Sequence, residues 1–404
     1  MDYRYNDATN DVNISLVTET YTPEVNGVAM TLSQLVNHLR SRGHKVQVVR
    51  PRQKQESPGL QDNEKTVSVR GAPIPRYPDL RFGLPCGNRL RSSWRQFQPD
   101  IIHVATEGPL GLSAIRAAKR LSIPCTSTFH TNFHEYSKHY NAPLLMKGVL
   151  AYLRWIHNQT CCTMHPTQEL ADALEKSGFL NNQVFGRGVD LAAFHPGARD
   201  ESLRSKWGAG SEDTIVLHVS RFAAEKNYEL LFKSYRKILN TLPHARFVVV
   251  GDGPVRAKWE RAFPEAIYTG VISLENRAEL GQIYASSDVF LYPSNTETYG
   301  NVLTEAMASG NACLAFNYAA AAIHIEDGVN GLTVPMGDEE QFLERSLDLV
   351  KNVALQKRLG QSAADYAVEH LDWVPVVDQF ESLLFQYADK PTDKSPNAQN
   401  RTNQ

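Results

Sequence analysis

Apolar positions along the chain follow two rhythms that alternate. "VNISLVTE" is an apolar run that ends in a turn, "TPEVNGVAM". "TLSQLVNHLRSRGH" then spaces its apolar residues as one helical face and stops at Gly43, and "KVQVVRP" returns to a strand. Together these predict a βαβ unit. "DIIHV" and "PCTSTF" predict further strands, with "LGLSAIRAAKRLS" as the helix between them. "APLLMKGVLAYLRWIHN" reads as a helix with Leu, Val, Tyr and Trp on one side and Lys147 and Arg154 among them. A core helix is the expectation and an interfacial helix the alternative.

The pattern breaks at "GRGVDLAAFHPGARD", rich in Gly, Pro and charge, and a second alternating series follows. "TIVLHVSR" is a strand, "NYELLFKSYRKIL" a helix and "ARFVVVGDGP" a strand with a Gly turn; "AIYTGVI", "DVFLYPS" and "NACLAF" add strands. Such alternation predicts a doubly wound parallel sheet in each half, with ligands held between loops at the carboxyl ends of the strands. The expected division is a polar extension over 1–11, an N-terminal domain over 12–188 and a linker over 189–213. A C-terminal domain over 214–371, an amphipathic helix over 372–388 and a tail too polar to pack over 389–404 complete it.

The net charge of -2 hides an asymmetry: residues 1–195 carry a balance of +6 and the remainder -8. Arg70, Arg76, Arg81, Arg89, Arg91 and Arg95 are opposed in their stretch only by Asp79, with Tyr77, Phe82 and Trp94 among them. That stretch suits an anionic surface, while a merely solvated basic face is the bland alternative. Five cysteines without framework spacing read as buried thiols of a reducing cytoplasm. "MDYRYNDATND" has no secretory pattern, and no window reaches the ~20 apolar residues of a membrane span.

"SNTETYGNVLTEAMASG" carries Glu297 and Glu305, and paired carboxylates raise the question of acid–base work. On one helix their backbones would lie ~12 Å apart and ~80° around the axis. Carboxylates that share a glycosidic bond sit only ~5 to 9.5 Å apart. "YPSNTETYG" favours a loop, and the helical rhythm of Val302, Leu303, Ala306 and Met307 begins after Gly300. Glu297 is therefore expected on the loop and Glu305 on the second helical turn, gripping two parts of one elongated ligand across a helix N-terminus.

Three further pieces fit an anion. Gly27 in "EVNGV" lies between the first strand and first helix, where backbone can approach a phosphate. "SRFAAEKN" places Arg221 and Lys226 just after the second half's first strand, and "VVGDGP" adds Gly251 in a turn. A diphosphate flanked by polyols, which carboxylates bind through hydroxyls, is a nucleotide sugar.

"HVSRFAAEKN", "VVGDGP", "YTGVI", "YASSDVFLYPSNTETYGNVLTEAMASG" and "DGVNGL" resemble the signature series of retaining GT-B glycosyltransferases of family 4. "TPEVNGV" and "RGVDLAAFHP" resemble that family's N-terminal turn and interdomain segment, so the likeness runs over about residues 12 to 385. "TFHTNFHEYSKHY" looks most like the branch with plant sulfoquinovosyl-diacylglycerol synthase and bacterial GDP-mannose-dependent mannosyltransferases. The resemblance implies two Rossmann-like domains and a hexosyl transfer without metal or other cofactor. It implies that Glu297 faces donor-sugar hydroxyls, Glu305 the ribose, and Arg221 and Lys226 the diphosphate. Amides around Tyr299, Gly300, Asn301 and Val302 would touch the donor, Gly27 and Gly251 would allow close approach, and His130 would lie beside the reacting sugar. The implied partners are a nucleotide sugar, a lipid or glycan acceptor and an anionic membrane surface, with no nucleic acid. One departure stands out: "NYAAAAIHIEDGVNG" has alanines, Ala319 to Ala322, where many relatives have a Gly-Gly turn.

Other classes fit less of the chain. A nucleotide-sugar epimerase or a non-catalytic sensor would share the donor residues. A nicotinamide enzyme lacks its G-x-G-x-x-G after either first strand. His130, His134 and His139 suggest a metal only weakly, because "HEYSK" is not the zinc-protease pattern.

Overall fold

The computed structural model describes residues 11–24, 26–53, 56, 65–74, 77–130, 143–210, 212–272 and 276–388. The expected tail, nearly all of the N-terminal extension, and His134 and His139 lie outside the described residues.

Two units are present. Of the described residues, the first comprises those within 11–130, 143–186 and 377–388, and the second those within 187–376.

In the first unit, β1 (Asn13–Val17), β2 (Lys45–Pro51), β3 (Thr66–Val69), β6 (Ile101–Val104), β7 (Cys125–Thr128), β8 (Thr163–His165) and β9 (Asn182–Val184) form one parallel sheet. Its order is β3-β2-β1-β6-β7-β8-β9. β1 (NISLV), β2 (KVQVVRP) and β6 (IIHV) are largely apolar and buried, as strands covered on both faces require. β4 (Gly71–Ile74) and β5 (Tyr77–Gly83) pair antiparallel beside it. Apart from Arg76, which lies outside the described residues, the basic stretch runs through this strand pair into the helix Gly87–Phe97, which buries Leu90 and Trp94. The helix Pro143–His157 is only partly a core helix: Leu153 and Ile156 are buried, whereas Tyr152 and Trp155 stay exposed.

In the second unit, β10 (Ile215–Val219), β11 (Arg246–Val250), β12 (Ile267–Thr269), β13 (Val289–Tyr292), β14 (Ala312–Phe316) and β15 (Leu332–Val334) run parallel in the order β12-β11-β10-β13-β14-β15. Chain order departs in opposite directions from β10. The loops after β10 and β13 therefore flank the reversal point, where open α/β sheets bind ligands.

Two segments differ from the sequence-based division. Where a bare linker is expected over 189–213, the structure buries Phe194 and Trp207 in the second unit's core. Arg204, also buried, pairs there with Asp288 at 2.9 Å. Where the helix Trp373–Ala388 is expected to follow the C-terminal domain, only its first turn packs in the second unit, with Trp373 against Gly188. From Val377 onward it belongs to the first unit. Phe380 meets Phe185 and His103 there, and Asp378 and Glu381 lie 2.6 and 2.8 Å from Arg42. Of the cysteines, Cys125, Cys162 and Cys313 are buried as expected, while Cys86 and Cys161 are partly exposed.

Candidate active site

At the reversal point of the second sheet, β10 leads into Ser220 and Arg221, and a 3₁₀ turn, Ala224–Lys226, follows. Asn227 then takes a left-handed backbone and caps the helix Tyr228–Thr241 by accepting from the Leu230 amide. The loop after β13 is tied to this turn by the Asn295 amide, which donates to the Glu225 carbonyl at 3.0 Å. Lys226 and Glu297 consequently meet, the ammonium donating to Glu297 Oε1. The same carboxylate oxygen accepts from the Tyr292 hydroxyl and, at 2.7 Å, from Ser294 Oγ. Tyr318 donates to the Glu297 carbonyl, so the loop carrying the acid is held through main chain and side chain together. Arg221 is half exposed and pairs with Glu225 at 2.6 Å.

Beneath this cluster His218 is fully buried between the Leu291 carbonyl and Ser220 Oγ, each at 2.8 Å. Burial pulls its pKa down to about 4, with Lys226 adding to the effect. His218 is thus a neutral post under the β10 loop.

Glycines flank the site for different reasons. Gly300 has φ +104 and starts the helix Asn301–Ala308 without a side-chain cap. Gly300 has no side chain to occupy that N-terminus, which suits an anion. Gly251, expected to let ligand approach, is committed to the protein instead. Its amide donates to the Thr269 carbonyl at 3.0 Å, and a β-carbon there would lie 2.0 Å from the Ser220 carbonyl. It seats the Arg221 loop.

Glu305 lies on the second turn, as expected, and is buried. Its carboxylate accepts from the Tyr284 hydroxyl at 3.3 Å and lies 3.7 Å from Arg277 Nη2. Arg277 rests over the Phe194 ring, 4.9 Å from its centroid, with Nε 3.2 Å from Asp190. Burial pushes the Glu305 carboxyl up to about 7 against the pull of Arg277 and Tyr284. The Tyr299 hydroxyl bonds His324 Nε2 at 2.7 Å, and Ala319 holds φ 52, ψ -129 directly before the helix Ala320–His324. Glycine is at ease in that geometry, which costs alanine strain.

Gly27 and His130 belong to the first unit. Gly27 opens the helix Gly27–Ser41 behind Asn26, whose side chain accepts from the Ala29 amide at 2.9 Å. His130 follows β7 and buries its Nε2. Sequence reasoning missed Tyr292, Ser294, Tyr318, Arg277, Asp190 and Tyr284. Tyr292 and Ser294 end a strand already singled out, and Tyr284, Asp190 and Tyr318 stand inside segments quoted above, whereas Arg277 lies outside all of them.

The arrangement offers a cation–carboxylate pair at a sheet reversal, an uncapped helix start and a second buried acid. It can neutralise a diphosphate and accept hydrogen bonds from hydroxyls on either side.

Comparison with known proteins agrees with this chemistry. Residues 25–193 match the model described as Glycosyltransferase Family 4, and residues 213–352 the one described as Glycosyl transferases group 1. A GDP-mannose-dependent alpha-mannosyltransferase of Mycobacterium tuberculosis is 31% identical over 374 residues, 91% of this chain and 95% of that protein. Sulfoquinovosyl transferase SQD2 of Arabidopsis thaliana is 30% identical over 361 residues, 86% of this chain and 68% of its own. Alpha-monoglucosyldiacylglycerol synthase of Acholeplasma laidlawii is 25% identical over 85% of this chain and 87% of its own. Among solved structures, sucrose-phosphate synthase from Thermosynechococcus elongatus superimposes with a TM-score of 0.75 at 17% identity, covering 93% of this chain and 98% of the other. Anabaena HepE in complex with UDP and glucose gives 0.72 at 16%, covering 93% and 99%. With its two parallel-sheet units, the chain belongs to glycosyltransferase family 4: it is a GT-B hexosyltransferase that draws on a nucleotide sugar.

Proposed function

We propose that the protein moves a hexosyl unit, with retention, from a UDP-sugar or GDP-mannose to a membrane lipid such as diacylglycerol at the cytoplasmic membrane face. The observation that carries the reading is the meeting of Lys226 and Glu297 at the reversal point of the second sheet. In this reading Arg221 and Lys226 neutralise the diphosphate and its leaving charge, a role elsewhere given to a metal. Glu297 accepts from sugar hydroxyls and Glu305 from the ribose. Amides at Tyr299, Gly300, Asn301 and Val302 reach the donor's oxygens, Gly27 admits the phosphates and His130 lies by the reacting sugar. Neither Glu297 nor Glu305 is free to act as a nucleophile: Glu297 is clamped by three donors and Glu305 is buried beside Arg277. The transfer is therefore front-face, with the departing phosphate taking the acceptor's proton.

The lipid acceptor is supported by the likeness to SQD2 and to the glucosyldiacylglycerol synthase, and by the basic face of the first unit. Among the described residues no helix is long and apolar enough to cross a membrane. The second reading is a mannosyltransferase acting on a soluble or polysaccharide acceptor, favoured by the mycobacterial relative.

Melting of the purified protein with UDP, GDP or NAD tests the donor site. A ligand at ~100 times its dissociation constant adds about 2.7 kcal/mol. A shift with one nucleoside diphosphate that Arg221→Ala removes supports the reading and chooses the donor base. No shift with either, or a shift with NAD alone, overturns it. Radiolabelled transfer to diacylglycerol vesicles then separates the two acceptors.

A further inference from the structure

The helices Gly87–Phe97 and Pro109–Leu121 pack through Leu90 and Trp94 against Ala114, Ala117 and Ala118. Beside that contact they leave an open concavity of about 490 Å³ in the first unit. Arg89 and Arg91 line it from one helix, and Ser113, Arg116 and Arg120 from one face of the other. Asn88 lines it too, accepting from Arg91 Nη2 at 2.5 Å. No carboxylate lines the concavity, and Arg91, Arg116 and Arg120 have no ion-pair partner among the described residues. The three like charges of Arg91, Arg116 and Arg120 around one hollow repel unless an anion enters, and guanidinium forks match phosphate oxygens in two-point contacts. Arg116 also lies 5.9 Å from the ring centroid of Trp155, which is 47% exposed. An exposed indole beside cations suits a headgroup layer.

We propose that this concavity is a second anion site, separate from the donor residues, that binds a phosphate group. The group comes either from a phospholipid headgroup or from a free phosphate. The site does not depend on which sugar or acceptor the enzyme uses.

The test uses the full chain as wild type, as Arg116→Gln/Arg120→Gln, and as Lys119→Gln, a charge on the same helix outside the concavity. Flotation with vesicles of phosphatidylcholine containing phosphatidylglycerol reads the lipid source. Equilibrium dialysis against inorganic phosphate, with saturating nucleoside diphosphate covering the donor site, reads the free source. The pair should cost about thirtyfold in one of these, at roughly fivefold per arginine, and Lys119→Gln distinctly less than either arginine alone. The nucleoside-diphosphate melting shift must survive in every variant and marks them as folded; Arg116→Lys/Arg120→Lys replaces any that fails. Loss in the vesicle arm assigns a headgroup, and loss in the dialysis arm assigns a free phosphate. No loss in either arm, or an equal loss with Lys119→Gln, overturns the site.

Discussion

Before the donor arrives, the ammonium proposed to hold its diphosphate is already engaged. Lys226 donates to Glu297, and both side chains are only 13% exposed, so water screens the pair weakly. Replacing Glu297 with Gln removes the charge while leaving an amide oxygen for Tyr292 and Ser294. At an effective dielectric of about 20, a unit charge ~8 Å from another contributes about 2 kcal/mol. Removing the carboxylate should therefore strengthen nucleoside-diphosphate binding by about 1–2 kcal/mol, roughly five- to thirtyfold. Transfer should fall at the same time by at least ~100-fold, because the second carboxylate oxygen, left to accept from sugar hydroxyls, becomes an amide NH2 that can only donate. Titration calorimetry of UDP and GDP against wild type, Glu297→Gln and Lys226→Gln, alongside product formation, measures both. The expected signature is opposed: tighter nucleotide with lost turnover for Glu297→Gln, weaker nucleotide for Lys226→Gln. Weaker nucleotide binding in Glu297→Gln, or turnover like wild type, refutes the reasoning.

Gly251→Ala should destabilise by about 3 kcal/mol, since its β-carbon would meet the Ser220 carbonyl at 2.0 Å with φ +137; denaturant melts read this. Ala319→Gly should stabilise by up to about 1 kcal/mol in the same assay, because the strain it relieves outweighs the entropy glycine adds to the unfolded chain. Glu305 has a folded pKa of about 7 against an ordinary 4.5, so the folded chain binds more protons between those values. Its contribution is present below pH 4.5 and lost as pH rises to about 7, a total of about 3 kcal/mol. Glu305→Gln should flatten that part of the pH–stability profile and be the more stable protein at pH 8. Glu19, also pushed up to about 7 by burial, leaves its own slope in the variant. An ionised Glu305 is the better hydrogen-bond acceptor for ribose, so nucleotide affinity should rise from pH 6 to 8 in wild type and not in Glu305→Gln.

Much of this protein is written locally. The alternation of apolar strands with helical faces specifies parallel sheets in both halves, because strand and helix periods differ and each is read within a few residues. The same locality puts Arg221 and Lys226 just past β10, Glu297 in a loop and Glu305 one turn into a helix. Tertiary structure decided the rest. Strand order is a property of non-local pairing, and only the reversal at β10 brings Lys226 to Glu297 across 71 positions. The burial that raises the Glu305 pKa, and the pull of Arg277 and Tyr284 against it, come from parts of the fold that no periodicity links to it. The last helix joins the first unit where Phe380 meets Phe185 and His103 and where Arg42 pairs with Asp378 and Glu381, a choice its own amphipathic pattern leaves open. Ala319 shows the converse: its sequence forecasts ordinary backbone, and the surrounding fold holds it where glycine is at ease.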